Sequence, residues 1–563
     1  IAPMVIFTAP NGDLLYDFGQ VISGVPRLVV HCDAISEITL DFGETLDAEG
    51  NFLRNIMGRN KDQRDVLVCS PGKTEFQPKF TYHGFRYMRV AGATQENLVS
   101  ALAVPIGTKI AETGSFKCSD DLLNQLQHNI SWSIKGNLLS VPTDCPQREK
   151  MGWTGDLQVI AKTACFNYDL RNFLSAWLLN MRAEQKPDGE IPNYIPNYPI
   201  SEQMHLKYRG NNSSAAWGDA CVLAPYYLYG VYGDKRVLWD NLQMMEGWLD
   251  FIGNAAAKPP GGPYLWTAGH HFGDWLIPSF SGTHDGIARG VAATKEVVSS
   301  CFYAITVSIF IKVLDALLED GQPQPRLLEL KQKYSNLLPK IKEAVCAEHI
   351  SDDGIVAGDL QGLYVIVLQA QIVQGQLRQK VANRLTELVR LNGNRLDTGF
   401  VSVSHLLDVL IENGHREAAY ALLHQKECPS WLYQITKGAT TIWEHWDAVA
   451  PDGSVRSVSF NHYAFGAVGD WIYRTIGGIA PGAPGYRKIV FRPDIFCGLE
   501  YSECSFESAY GTIVCNWRKD DNAYVLSLKV PGNTEAHLKI ADNDYLLKPG
   551  AYEMHFDENG TLC

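Results

Sequence analysis

Two stretches of this sequence set carboxylates among indoles in a way that is odd for a packed core and odd for a solvated face. The first is Asp144-Cys145-Pro146-Gln147-Arg148-Glu149-Lys150-Met151-Gly152-Trp153-Thr154-Gly155-Asp156. If a helix opens soon after Pro146, then Glu149, Trp153 and Asp156 fall at i, i+4 and i+7 and share one face. Two acids framing an indole suit a sugar site, where an aromatic face stacks on the ring and carboxylates bind hydroxyls or move protons. Helix-start electrostatics around a packed Trp explains the same residues and stays open at this point. The second stretch is Gly438-Ala439-Thr440-Thr441-Ile442-Trp443-Glu444-His445-Trp446-Asp447, followed by Asn461-His462-Tyr463-Ala464-Phe465-Gly466. Apolar bulk beside Glu444 would raise its pKa and polar partners would lower it, and in either case it is a candidate proton carrier. His462 reads equally as a histidine bonded within the core. Trp217-Gly218-Asp219 and Phe272-Gly273-Asp274-Trp275 couple Trp and Asp again, although either acid can equally cap a helix or a turn.

The sequence has no Gly-rich phosphate loop, no G-x-S-x-G elbow and no H-E-x-x-H. Carboxylates with aromatics and no metal or cofactor motif point to glycoside hydrolysis. There a protonated carboxyl assists the leaving oxygen, and a second carboxylate activates water or attacks directly. No metal and no cofactor are called for. Thirteen cysteines form no CxxC pair and no His/Cys cluster at zinc spacing. Cys165, Cys221, Cys301 and Cys346 sit in apolar contexts and read as small buried hydrophobes of a reducing, cytoplasmic compartment. The sequons Asn212-Ser213-Ser214 and Asn559-Gly560-Thr561 leave secretion open.

The elements that must position these residues fall into three blocks of a 563-residue chain. Residues 1–112 alternate like an antiparallel sandwich, with short apolar stretches (Leu14 to Phe18, Arg27 to Val30, Val66 to Cys69, Arg86 to Val90) between Gly, Asp, Asn and Pro turns. Pro78 to Tyr87 reads as an aromatic-rich strand able to pack on a neighbour. From 113 to 477 apolar residues recur at three and four, marking about a dozen helices, and Ser119 is the expected N-cap of the first. Nearly pure helix of that length with no fixed repeat suits a closed double ring of hairpins, an (α/α)6 barrel. The stretches 256–291 and Gln185 to Asn212 are expected to be long loops, the first of them site-building. Residues 478–563 return to strand alternation, so the expected fold is mainly α, an (α/α)6 barrel flanked by N-terminal and C-terminal antiparallel β-sandwich domains. Lys+Arg 49 against Asp+Glu 62 leaves a net charge of −13, which disfavours nucleic acid and anionic membrane surfaces as partners. No apolar run reaches membrane-spanning length; the longest candidate, Ala304 to Leu318, is interrupted by Ser308 and Lys312. No signal peptide is visible, and the absence of an initial Met leaves a removed segment open.

At this point a family is recognisable. Asp144 to Asp156, Trp217-Gly218-Asp219-Ala220, Gly438 to Trp446 and Asn461 to Gly466 closely resemble bacterial α-L-rhamnosidases of glycoside hydrolase family 78. Tyr16-Asp17-Phe18-Gly19-Gln20 and Phe80-Thr81-Tyr82-His83-Gly84-Phe85-Arg86-Tyr87 resemble the β-domain that precedes the barrel in that family. The resemblance implies removal of terminal, non-reducing α-L-rhamnose with inversion, Glu149 matching the general acid and Glu444 the general base. It implies that Asp144, Arg148 and Asp156 hold rhamnose hydroxyls, that Trp153 lines the pocket, and that His462 touches the sugar. Trp217 and Trp275 match further pocket aromatics more loosely. Some relatives carry one more residue in the first motif, which would put the acid where Lys150 stands; the shorter spacing fits this chain, so Glu149 is the choice. Many relatives carry additional β-domains before this region, and their absence leans towards small substrates. The implied partners are rhamnose-containing glycosides, such as plant flavonoid glycosides or oligosaccharides; a homodimer stays an option. Another glycosidase or a lyase on the same barrel, and a catalytically silent carbohydrate-binding protein, are the competing readings. An inverting pair would stand about 6.5–9.5 Å apart.

Overall fold

The computed structural model describes residues 1–55, 63–197, 212–258, 262–319, 324–521 and 523–563. These form two compact units, one of residues 1–109, 125–152 and 426–466, the other of residues 110–124, 153–425 and 467–563.

The first unit is built on a seven-stranded antiparallel sheet: β1 (Val5–Thr8), β2 (Leu14–Cys32), β3 (Ser36–Gly43), β4 (Arg64–Cys69), β5 (Gly72–Phe76), β6 (His83–Ala91) and β7 (Leu98–Pro105). β2 is one long strand where the sequence suggests two. A bulge between Asp17 and Ile22 absorbs the break, with Gly19 at φ 76 and its N–H bonded to the Asp17 carboxylate. Pro26 lies inside the strand, opposite Ala103 of β7. β2 therefore pairs with β1 and β6 along its first half and with β5 and β7 along its second. Alternate side chains (Tyr16, Phe18, Leu28, Val30, Leu40, Phe42, Phe85, Met88) make a core against which Trp132 packs. Pro78–Tyr82 precedes β6 instead of belonging to it, and Phe80 is fully exposed. The helix Asp121–Asn137 is capped by Asp120, whose carboxylate takes the N–H groups of Leu122 and Leu123; Ser119 instead accepts from Glu500 N.

The second unit carries most of the helices. Consecutive ones pack as hairpins: Ala220–Tyr232 on Arg236–Ala256, Gly286–Leu318 on Pro325–His349, and Gln361–Gln369 on both Gly375–Leu391 and Phe400–Glu412. Gly286–Leu318 is long and apolar enough to cross a membrane, yet most of it is buried, so its hydrophobicity is that of a core helix. Residues 464–476 form a 3-10 turn (Ala464–Ala467), a short α-helix (Val468–Trp471) and a π-turn (Ile472–Ile476). The C-terminal strands form a five-stranded sheet and a four-stranded one. The five-stranded sheet recruits Gly114–Cys118 from far upstream, hydrogen-bonded to Tyr501–Ser508. The four-stranded sheet contains one parallel pair, Lys488–Phe491 with Glu535–Ile540, where an antiparallel arrangement is expected. Of the two long loops, 198–211 and 259–261 lie outside the described residues; the second loop ends where Gly286 opens its helix, and holds a 3-10 turn at Pro278–Phe280.

Candidate active site

The helix expected soon after Pro146 begins only at Thr154. Residues 144–151 form a closed loop instead. Asp144 Oδ1 accepts from Met151 N at 3.0 Å, Asp144 N donates to Met151 O at 2.9 Å, and Lys150 sits at φ 55 with its N–H on Cys145 O. An aspartate bonding forward to the backbone stabilises this loop over a helical turn, so the i, i+4, i+7 face is not formed. Gly84 of β6 underlies the loop: a Cβ there would stand 3.1 Å from the Gln147 backbone. Lys150 turns to the Tyr82 carbonyl at 2.7 Å, its ammonium over the Tyr82 ring, and burial holds it down to about 8.

Within the same unit, the segments 441–444 and 459–462 bond to each other: Glu444 N to Ser459 O, Ser459 N to Glu444 Oε2 at 2.8 Å, and His462 N to Ile442 O. They are fastened to the helix Asp121–Asn137 through Asn129 on Ala439 O and Ser133 Oγ under Ile442 N. The short helix Trp431–Thr436, which the sequence reading misses, starts this region with Ser430 as its cap. The two indoles flanking Glu444 do not enclose its carboxylate. Trp443 packs on Phe460, and Trp446 packs between Trp431 and Phe465. They anchor the backbone in the core, while the Glu444 carboxylate meets Arg148 of the loop 144–151.

Arg148 joins the two halves of this arrangement. Its Nε lies 3.3 Å from Glu149 Oε1 and its Nη2 donates to Glu444 Oε1 in a short contact. Both carboxylates are thus on one guanidinium fork, which caps the separation of those two oxygens at about 8 Å. The two environments differ: the Glu149 side chain is 35% exposed, that of Glu444 9%. Burial pushes the Glu444 carboxyl up, but Arg148, then His445, His462 and the Ser459 N–H, outweigh it and hold it at about 2. Burial also depresses His445, so at neutral pH the Arg148 cation is the main cause of the lowering. Asp144 adds to the acidic field around Arg148. A further acid that sequence reasoning passed over, Glu44, follows β3 and lies in this field, buried next to Arg148 and Glu444. A lone Glu after Phe42-Gly43 carries no pattern that would single it out.

In the second unit, Trp153 immediately precedes the helix Thr154–Asn167, and Asp156 is buried in its first turn. Trp153 stands edge-on to Tyr194 and Phe272, while Trp217 and Trp275 pack on Phe272 at 4.6 and 5.3 Å between ring centres. The three predicted tryptophans therefore share one aromatic group centred on Phe272. Gly155 is required beneath it, since a Cβ there would lie 2.5 Å from the Trp217 indole. Asp219 and Asp274 are structural. Asp219 takes Trp248 Nε1, Thr306 Oγ1 and Ala216 N, and Asp274 takes Gly399 N, Ser402 N and Ser402 Oγ at the start of Phe400–Glu412.

The family model described as bacterial alpha-L-rhamnosidase 6 hairpin glycosidase domain matches residues 111–476. The concanavalin-like domain and the C-terminal domain of the same proteins match 7–105 and 478–553. An alpha-L-rhamnosidase of Streptomyces avermitilis is 34% identical over 539 residues, 94% of this chain and 48% of that protein. One from Formosa agariphila is 30% identical over 550 residues, 95% of this chain and 56% of the other. The crystal structure of the Streptomyces avermitilis enzyme complexed with L-rhamnose matches with a TM-score of 0.88 at 32% identity, over 99% of this chain and 53% of that one. That of Aspergillus terreus α-L-rhamnosidase matches with a TM-score of 0.89 at 30% identity, over 98% and 63%. The chain spans about half the length of the curated relatives it matches. On this evidence the chain belongs to the bacterial alpha-L-rhamnosidase family.

Proposed function

We propose that this chain hydrolyses terminal, non-reducing α-L-rhamnose from small glycosides or oligosaccharides with inversion, Glu149 acting as general acid and Glu444 as general base. The observation that carries the reading is the Arg148 fork, which puts an accessible and a buried carboxylate on one cation. Unequal environments for two acids are what acid–base division of labour requires. Glu444, ionised at any working pH, holds the attacking water; the exposed Glu149 reaches the glycosidic oxygen. The inverting assignment calls for a separation of about 6.5–9.5 Å, of which the lower part lies within the cap of about 8 Å. Arg148 is proposed to exchange its carboxylate contacts for rhamnose hydroxyls as the sugar enters. Losing the cation raises the proton affinity of both acids, so Glu149 keeps its proton and Glu444 becomes a better base when substrate is present. Developing positive charge at the anomeric carbon is stabilised by the acidic surroundings more than the ground state is.

Asp144 and His462 are proposed to contact the sugar; the proposed sugar contacts of Trp153, Asp156, Trp217 and Trp275 rest on the family resemblance, aromatic rings suiting the C6 methyl group of rhamnose. The finer architecture is part of the same proposal: β-sandwiches over 1–112 and 478–563, and an (α/α)6 barrel over 113–477 closed by the helical hairpins. Glu149→Gln and Glu444→Gln are expected to lower kcat on an aryl α-L-rhamnoside at least about 100-fold with the fold intact by circular dichroism. A near-normal kcat in either variant removes that residue from its role.

A further inference from the structure

Glu44 is the acid that the reaction scheme leaves unused. Its side chain is buried at the end of β3, with Oε2 accepting from Phe460 N at 2.7 Å. Oε1 packs against Gly84, whose added Cβ would stand 3.1 Å away. Oε1 has no hydrogen-bond partner among the described residues, although Asn55 acts weakly on the carboxyl as a whole. The charged groups whose fields reach Glu44 are Arg148 and Glu444. Arg148 already serves two carboxylates, so a third buried negative charge beside it would go uncompensated, and the inexpensive state is the neutral one. Burial is the main cause, and it pushes the Glu44 carboxyl up to about 8 despite the Phe460 N–H and Arg148, with Glu444 reinforcing the rise.

The position of this acid has a use. Ser459 N bonds the Glu444 carboxylate and the next amide, Phe460 N, bonds Glu44, so consecutive N–H groups of one segment are held by the proposed base and by the N-terminal sheet. Asn55 adds a second tie from the same sheet domain, to Val458 O at 2.8 Å. We propose that Glu44 is a positioning residue, a protonated carboxyl that holds the Phe460 N–H and thereby fixes the Ser459–Phe460 segment and the base Glu444. This rests on the assignment of Glu444 as base.

The test uses the whole chain and has two arms. Infrared difference spectra between pH 6 and 10 follow the carbonyl stretch of protonated carboxyls, and the comparison with Glu44→Gln separates Glu44 from other acids that burial pushes up, such as Asp219, Asp274 and Asp397. The expected result is a band present at pH 6.5, lost around pH 8, and missing from the variant. Identical spectra for the two proteins would mean an ionised Glu44 and would overturn the proposal, whatever substrate the enzyme uses. In the kinetic arm, Glu44→Ala is expected to lower kcat on an aryl rhamnoside roughly 10-fold with KM little changed, by stranding a buried amide. Glu44→Gln, which keeps the acceptor, is expected to restore most of that loss. A Glu44→Gln kcat as low as that of Glu44→Ala overturns the positioning role. Should the wild-type protein cleave no rhamnoside, the functional reading fails while the infrared arm still decides the protonation state; should Glu44→Ala not fold, the Gln variant still carries both arms.

Discussion

Replacing Arg148 with methionine keeps an unbranched stem of four heavy atoms and removes the cation that Glu149 and Glu444 both touch. In the native protein Glu444 is held at about 2 against an ordinary 4.5, a gap worth about 3 kcal/mol. Without the guanidinium, burial has only the Ser459 amide and two histidines against it, so the Glu444 carboxyl should rise above 4.5. Because kcat/KM reports the free enzyme, its acid limb reads this group directly. The native limb set by Glu444 lies near pH 2, below the range in which most proteins stay folded, so the profile should be flat from pH 6 down to about 4. In Arg148→Met the normalised kcat/KM should instead bend downward above pH 4.5 and approach a 10-fold fall per pH unit below the raised pKa. The lost hydroxyl contact raises KM but leaves the shape of the profile unchanged. Stability carries the same signature. A carboxyl with a depressed pKa contributes stability fully above its unfolded value of 4.5 and loses it as pH falls through its folded value of about 2. The native protein should therefore exceed the variant by about 3–5 kcal/mol near neutral pH, the cost of a buried unpaired charge, with the difference shrinking as pH falls from the raised Glu444 pKa of the variant towards the native value of about 2. Acid limbs that overlay after normalisation would refute the idea that Arg148 sets the state of Glu444.

Two further substitutions test the frame around the site. Gly155→Ala would set a methyl 2.5 Å from the Trp217 ring and should cost about 1–3 kcal/mol in urea unfolding despite better helix propensity; no loss would mean that Trp217 shifts freely. Asp274→Ala leaves Gly399 N, Ser402 N and Ser402 Oγ without their acceptor and should destabilise by at least about 2 kcal/mol, with kcat per folded molecule within about 2-fold of wild type; a kcat loss of 100-fold would give Asp274 a chemical role instead.

Much of this was legible in the sequence for a physical reason: long elements declare themselves by periodicity. The helices at 121–137, 171–184, 236–256 and 325–349 lie within a few residues of where spacing at three and four puts them. The failures fall where a side chain competes with the backbone. Asp144 bonds forward to Met151 and Lys150 takes a positive φ, so the helix expected near 149 starts at Thr154. Asp120 outcompetes Ser119 as cap because its carboxylate reaches two amides at once. Pro26 and Gly19 read as strand breakers, but a bulge and a change of pairing partners let β2 run through both. Pairing between distant segments, such as Gly114–Cys118 with Tyr501–Ser508, leaves no local trace. At the site, the motifs supplied Glu149, Glu444 and Arg148 as candidates, while their common ion pair and the buried Glu44 emerged only when segments 296 and 416 residues apart in the chain came together. The indoles beside Glu444 looked like part of the chemistry and turned out to be its anchors.

The central claim is that Glu444 directs water at the face opposite the leaving group protonated by Glu149, and the stereochemistry of the first-formed sugar tests it most directly. Proton NMR during hydrolysis of an aryl α-L-rhamnoside, recorded before mutarotation, should show β-L-rhamnose accumulating first. Initial α-L-rhamnose would contradict the account, because it requires a covalent intermediate and makes one of the two glutamates a nucleophile.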